Sequence, residues 1–376
     1  MKSIKRELLP LVEKQIGKKK VILIMGARQV GKSTLLKDIF RDRDNVIWMN
    51  GDDPDVDKTL SNMTSTRLKA MLAGKEFFIL DEAQRISDIG LKLKLIADNV
   101  DNIQVVATGS SSFELASKVS ESLTGRKREY QMFPLTFKEM VGHTDLLTEQ
   151  RLIPHRLIYG YYPEVVTSPG DEKEVLKELS DSYLYKDILQ LDGILKSEKM
   201  TKLLQALARQ IGDQISYREI GMLIDLDPKT VEKYIDILEK SFIVFRLGSF
   251  SRNLRNELKN SKKIYFYDLG IRNAVIGDFR EPELRQDVGA LWENFVISER
   301  IKRHRYNRDF ASIWFWRSNQ QKEIDIIEEE NGVLSAFEIK WNPRKKNVKI
   351  PSQFAQAYPD AIFKVITPDN IEELLL

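Results

Sequence analysis

Residues 26–34 read Gly26-Ala27-Arg28-Gln29-Val30-Gly31-Lys32-Ser33-Thr34: two glycines five positions apart, then a lysine and two hydroxyls. That spacing is what a phosphate-binding loop requires. Gly26 and Gly31 permit backbone conformations that a side chain would block, so successive N–H groups can turn inward on an anion. A helix opening at the end of the loop adds the partial positive charge of its N-terminus. Lys32 is placed to reach the β- and γ-phosphates of a nucleotide, and the Ser33 hydroxyl to hold Mg²⁺. The whole segment 26–34 is the expected cradle. A glycine-rich turn without a ligand is the competing reading, and a strand before and a helix after the full signature weigh against it.

A second group follows at Phe77-Phe78-Ile79-Leu80-Asp81-Glu82, four apolar residues running into two acids. In a nucleotide-binding sheet, an acid at the end of a buried strand steadies Mg²⁺, the role expected of Asp81. Its neighbour Glu82 is expected to orient the attacking water. Residues 103–110 form another apolar run ending in hydroxyls. Thr108 or Ser110 is positioned to sense the γ-phosphate, with a plain hydroxyl-stabilised turn as the alternative. Arg126, in Leu123-Thr124-Gly125-Arg126, is either an arginine finger that offsets charge on the transferring phosphoryl group or a surface cation.

The third group lies near the other end, Lys322-Glu323-Ile324-Asp325-Ile326-Ile327 against Ala336-Phe337-Glu338-Ile339-Lys340, joined through Asn331-Gly332. Asn-Gly is the strongest short hairpin signal. A two-residue loop sets 330 against 333, so Asp325 opposes Glu338 and Glu323 opposes Lys340, all on one face. The other face then pairs Ile324 with Ile339 and Ile326 with Phe337. Two carboxylates about 5 Å apart at an effective dielectric near ~20 repel by about 3 kcal/mol. A cation is needed: Lys340 supplies part of it, a divalent metal more. An acid, then acid-x-lysine on the next strand, is the PD-(D/E)xK nuclease pattern, in which the acids hold Mg²⁺ and the lysine positions or activates water. A surface ion pair between Glu323 and Lys340 is the plainer reading.

The elements that position these groups are those of an α/β chain. The run 21–25 is a buried parallel strand and 35–40 a helix. A short amphipathic helix is expected over 6–16, strands over 45–50 and 128–133, and a polar helix over 58–72. The middle reads as helices over 172–195, 203–211 and 216–224, then a helix over 229–240 with Asp227 as cap and Pro228 at its first position. Strands over 242–246 and 263–267 complete the pattern of a winged helix, with Lys229 and Lys233 facing outward; it reads DNA or serves as a lid or protein-contact module. The tail from 351 reads helix, strand (362–366), short helix.

The chain has 376 residues, 42% hydrophobic and 31% charged, with no cysteine, so disulfides and thiolate chemistry are excluded. Three scattered histidines make an imidazole-rich zinc site a poor expectation. The first residues lack the apolar core of a secretory signal, and no apolar run approaches membrane-spanning length, so the expected location is cytoplasmic, with no membrane partner. The net charge of +3 is too mild to argue for nucleic acid by itself. Basic clusters at 18–20, 126–128 and 344–346 are most simply solvated faces.

Together these segments resemble the AAA-type ATPases of bacteria and archaea that carry a nuclease-like C-terminal half of unassigned function. The resemblance rests on 26–34, Leu80-Asp81-Glu82-Ala83-Gln84, 123–126, Phe133-Pro134-Leu135-Thr136-Phe137 and Gly160-Tyr161-Tyr162-Pro163-Glu164-Val165, with Tyr161 where the group often has a second glycine. It runs almost end to end and implies a P-loop ATPase sheet over 1–150, a helical and winged-helix region over 151–280, and a restriction-endonuclease-like α/β domain over 281–376. It also implies a third metal-binding acid, Glu293, on the helix before the hairpin, with Glu299 competing. The expected activity is Mg²⁺-dependent ATP hydrolysis coupled to a back end acting on DNA, with a homo-oligomer as a candidate assembly. The alternative is a nucleotide-switched regulator that binds DNA or protein and cuts nothing.

Overall fold

In the computed structural model, the described residues are 4–61, 63–110, 123–190, 197–252, 262–309, 311–345 and 347–376, without side-chain detail for 182–190 and 197. Residues 191–195 of the expected middle helix and Lys346 of the third basic cluster therefore lie outside the described residues. The chain divides into two compact units, Met1–Pro134 with Lys240–Phe242, and Leu135–Glu239 with Ile243–Leu376. Residues 135–239 and 243–376 thus belong to one unit.

In the first unit, β1 (Val21–Gly26), β2 (Val46–Asn50), β3 (Phe77–Asp81), β4 (Gln104–Gly109) and β5 (Lys127–Met132) form one sheet in the order β2-β3-β4-β1-β5. All pairings are parallel. β1, β3 and β4 are buried along their whole length, as expected of strands covered on both faces. β4 lies between β1 and β3, with Ile24 opposite Thr108 and Leu80 opposite Ala107. The ends of three strands distant in sequence therefore meet at one carboxyl edge, where α/β sheets hold ligands. The polar helix expected over 58–72 is two helices, Pro54–Ser61 and Ser65–Met71. Thr64 breaks the run because its extended backbone and hydroxyl cap the second helix at Arg67 N–H. The N-terminal helix is shorter than expected, Leu8–Glu13.

The second unit holds two sheets. A three-stranded one has the order β6-β8-β7, from β6 (Gln214–Ile215), β7 (Val244–Gly248) and β8 (Lys262–Phe266). It accompanies the helices Ser197–Arg209, Tyr217–Ile224 and Pro228–Lys240. On the last of these Val231, Tyr234, Ile235, Ile237 and Leu238 are buried while Lys229 and Lys233 are exposed, a 3.6-residue stripe packed inward. The four-stranded sheet is β12-β11-β10-β9, from β9 (Ser312–Arg317), β10 (Glu323–Glu330), β11 (Val333–Ile339) and β12 (Ile362–Ile366). The long helix Val288–Asn307 precedes it.

The hairpin register runs from Glu330 opposite Val333 to Ile326 opposite Phe337, as the Asn-Gly turn demands. The facing pattern differs beyond that point. Ile324 pairs with Trp316 and Ile327 with Trp314, so β10 takes three steps where β9 takes two. Such a bulge breaks strict alternation. Ile324 accordingly joins a core of Phe250, Ile327, Leu334, Ala336 and Phe354, instead of sharing a face with Ile326.

Candidate functional site

The first unit assembles its polar groups at the edge where β1, β4 and β3 end. Gly31 has φ +96°, a conformation that side chains resist, and from it the helix Lys32–Phe40 begins. Gly26 is required for another reason: a Cβ there would stand 2.1 Å from the Met132 carbonyl oxygen of adjacent β5. Lys32 is buried, and its Nζ donates to the carbonyls of Gly26 (3.0 Å) and Ala27 (2.9 Å). Its ammonium is thus held inside the loop. The Ser33 hydroxyl donates to Asp81 Oδ2 at 2.5 Å, and the Thr108 hydroxyl donates to Asp81 Oδ1. Hydroxyl and carboxylate oxygens converge there, the donor set that Mg²⁺ prefers.

Glu82 follows with φ +49°, its N–H donating to Thr108 Oγ1 (3.1 Å). Its carboxylate accepts from Gln84 Nε2 (2.6 Å), which also reaches Ser110 Oγ (2.9 Å). The structure therefore brings Ser33, Asp81, Glu82, Thr108 and Ser110 into one network next to the loop that holds Lys32. Two residues the sequence did not single out complete it. Gln84 links Glu82 to Ser110. Arg6 donates from its two Nη atoms to the carbonyls of Val30 (2.5 Å) and Phe133 (2.6 Å), bracing the loop from outside. For Arg6 no motif gives a signal.

Arg126 is not brought there. Its carbonyl accepts from Val21 N–H at the start of β1, and it pairs with Asp98 at 2.8 Å. The loop follows the far end of β1, six residues on, or roughly 20 Å at strand rise. A role in its own site is excluded by this distance, which leaves action on a neighbouring copy or none. If it acts across copies, hydrolysis per chain should climb with protein concentration and Arg126→Ala should flatten that climb. A rate independent of concentration dismisses the finger.

The second unit gathers a different cluster. Glu293 on the long helix, Glu323 and Asp325 each offer a carboxylate oxygen, and these lie within 4.8 Å of one another. Asp325 is buried and accepts from Ile339 N–H (2.7 Å). Burial, then Glu293 and Glu338, push its carboxyl well above the usual carboxylate range. Glu338 is also raised, chiefly by burial, although Lys340 donates to it at 2.6 Å. The Glu323–Lys340 pair of the plainer reading is not among the ion pairs of the described residues. Lys340 turns to Glu338, and Glu323 accepts from Lys263 of β8. Lys263 Nζ also donates to Glu293 Oε1 (3.0 Å), as does the Tyr265 hydroxyl (2.5 Å).

The Arg317 guanidinium also lies 3.7 Å from Glu323, so four carboxyls face three cations, and burial pushes two of the four, Asp325 and Glu338, toward their protonated forms. Oxygen-only ligands of this kind suit Mg²⁺ or Mn²⁺. Of the two candidate acids on the helix, Glu293 faces the cluster. Glu299, six residues on and so about 240° around the helix, accepts from Phe137 N–H (2.7 Å) and Lys302 Nζ (2.7 Å).

Family comparisons agree with this geometry in the first unit. Residues 18–141 match the family model described as AAA domain. Residues 150–281 and 288–370 match two models, each described as a domain of unknown function (DUF8612 and DUF4143). The Walker-type ATPase PABY2304 of Pyrococcus abyssi shares the fold, with a TM-score of 0.51 and 14% identity over 73% of this chain and 96% of that one. The front of this chain is thus similar to AAA domains and has the parallel-sheet fold of a Walker-type ATPase.

Similarity to uncharacterized proteins extends past the ATPase domain. Rv2008c of Mycobacterium tuberculosis is 26% identical over 89% of this chain and 74% of its own. MJ1544 of Methanocaldococcus jannaschii is 24% identical over 97% and 88% respectively. Tyr161, which follows the AAA match in sequence, is buried and donates its hydroxyl to Glu149 (3.1 Å), with the Arg156 guanidinium over its ring. Among the described residues no helix is long and apolar enough to cross a membrane.

Proposed function

We propose that this chain is a Mg²⁺-dependent ATPase whose cycle drives a DNA-directed back end carrying a metal-dependent nuclease-like site. The observation that carries the ATPase reading is the convergence of Lys32, Ser33, Asp81, Glu82 and Thr108 on one sheet edge. In that edge, loop N–H groups and Lys32 grip the β- and γ-phosphates. Ser33 and Asp81 hold the metal, which offsets charge on the phosphates when bound. Glu82 leaves Gln84 to accept a hydrogen bond from the attacking water, and Thr108 keeps the carboxylate of Asp81 and the backbone at Glu82 in place. Cytoplasmic location and assembly into a homo-oligomer belong to this reading.

For the back end, the order helix, short strand, helix, helix, two strands supports a winged helix, and its exposed Lys229 and Lys233 suit a phosphate backbone. The acidic cluster beside Lys340 supports the restriction-endonuclease-like reading. In it, Glu293 and Asp325 hold the ion, with Glu338 or Glu323 as the further carboxylate, while Lys340 positions water for attack on a phosphodiester. The runner-up is a nucleotide-switched binder, favoured by Lys263 already occupying two of the carboxylates. Supercoiled plasmid incubated with protein, Mg²⁺ and ATP separates the two. Nicking that disappears in Asp325→Ala supports the nuclease; retarded but intact plasmid supports the binder. Plasmid unchanged in both mobility and topology removes DNA from the reading.

A further inference from the structure

Lys263 is 2% exposed, yet it carries its charge among carboxylates that belong to a different segment of the chain. It sits on β8, within the 150–281 match, between Gln214 and Leu247 on the neighbouring strands. The carboxylates it touches, Glu293 and Glu323, lie within the 288–370 match. Three further hydrogen bonds fix this juxtaposition. The Asn294 side-chain amide acts as a strand partner, donating to Phe266 O (2.8 Å) and accepting from Phe266 N–H (2.7 Å). Tyr265 binds the same Glu293 oxygen as Lys263. Beneath, the Phe315 ring lies 5.3 Å from the ammonium, a favourable face for a cation. The lysine is therefore held from several sides and shielded from solvent.

The carboxylates of Glu293 and Glu323 are two of the three whose oxygens can meet on one ion. From this geometry we infer that Lys263 is a built-in cation that competes with divalent metal for the acidic cluster and so sets how much metal the site needs. The inference rests on the metal-site reading above. A fixed positive charge within a hydrogen bond of two ligand groups opposes any divalent ion brought to them, and it does so strongly where water is scarce. It also satisfies those carboxylates when no metal is present, which an acidic cluster alone could not do without protonation or repulsion. Lys263 is thus a positioning residue. It holds Glu293 and Glu323 together in the metal-free protein and gives them up in part when the ion arrives. Because the lysine and the acids come from separately matched segments, the metal threshold belongs to the pair of segments and not to the C-terminal one alone.

The test uses the full chain, Lys263→Met, which keeps most of the side-chain volume and removes the charge. Mn²⁺ is the probe, titrated calorimetrically with the phosphate loop blocked by Lys32→Ala in both proteins. The variant should bind Mn²⁺ roughly tenfold more tightly than the parent, or better. Its melting temperature should fall in EDTA and recover with Mn²⁺ by more than the parent's rises. A variant unfolded in EDTA that folds when Mn²⁺ is added gives the same answer. Equal or weaker Mn²⁺ binding in the variant, or a variant that stays unfolded in Mn²⁺, overturns the competition and makes Lys263 a structural counter-ion. Should neither protein bind Mn²⁺ with the phosphate loop blocked, the metal-site reading fails and the inference falls with it.

Discussion

Lys32→Ala should weaken binding of Mg²⁺-ATP at least a hundredfold, beyond the reach of ordinary calorimetric titration. In the structure the Lys32 ammonium is buried and held by two loop carbonyls. With nucleotide present, it exchanges these neutral acceptors for ionised phosphate oxygens, and charge-assisted hydrogen bonds contribute roughly 1.5–3 kcal/mol each. Two such bonds amount to about 3 kcal/mol or more, and each ~1.4 kcal/mol is tenfold in affinity. The variant also leaves the carbonyls of Gly26 and Ala27 without their buried donor, so its folding is checked by thermal melting. Undiminished heat with ATP in a folded variant would mean that no phosphate comes within reach of Lys32, and the ATPase reading would lose its anchor.

Glu82→Gln is expected to separate binding from turnover. Glu82 has no bond to the loop; its carboxylate accepts from Gln84, and its N–H is held by Thr108. The substitution keeps size and shape and removes only the capacity to take a proton from water. ATP affinity should therefore stay within about threefold of the parent, while steady-state phosphate release falls by roughly 10²–10⁴, the usual contribution of a positioned general base. Turnover that survives the change would transfer the water-orienting role elsewhere, and the acid at the end of β3 would be structural. The left-handed backbone at Glu82 (φ +49°) belongs to the same argument, because strained residues of this kind recur at functional sites.

Much of the first site was legible because its chemistry is local. The nine residues 26–34 carry both glycines, the lysine and the metal-side hydroxyl, and the acids end a strand whose apolar run is unmistakable. What could not be read was the company these residues keep. Gln84 was quoted as part of a motif without a role, and Arg6 carried no motif at all, yet one binds Glu82 and the other braces Val30. Arg126 could not be placed from its segment: it pairs with Asp98 at the edge of the sheet where β1 begins, and the loop follows the other end of that strand. In the hairpin, Asn331-Gly332 set the register, but alternation carried past Ile326 misplaced Ile324. A bulge against β9 depends on a strand that the hairpin's own residues do not specify.

By itself the sequence determined the phosphate loop, the acid-ended strand, the hairpin turn and the likeness of the front segment to AAA-type ATPases. Each depends on residues within a few positions of one another, where backbone conformation is governed by near neighbours. Only the tertiary structure decided that β4 separates β1 from β3, which puts Thr108 against Asp81. It alone decided that Glu293 and not Glu299 faces the hairpin, and that Lys263, thirty residues before Glu293 and sixty before Glu323, is their partner. Partners so far apart meet through packing and sheet order, and a buried charge takes whichever counter-charge the fold delivers.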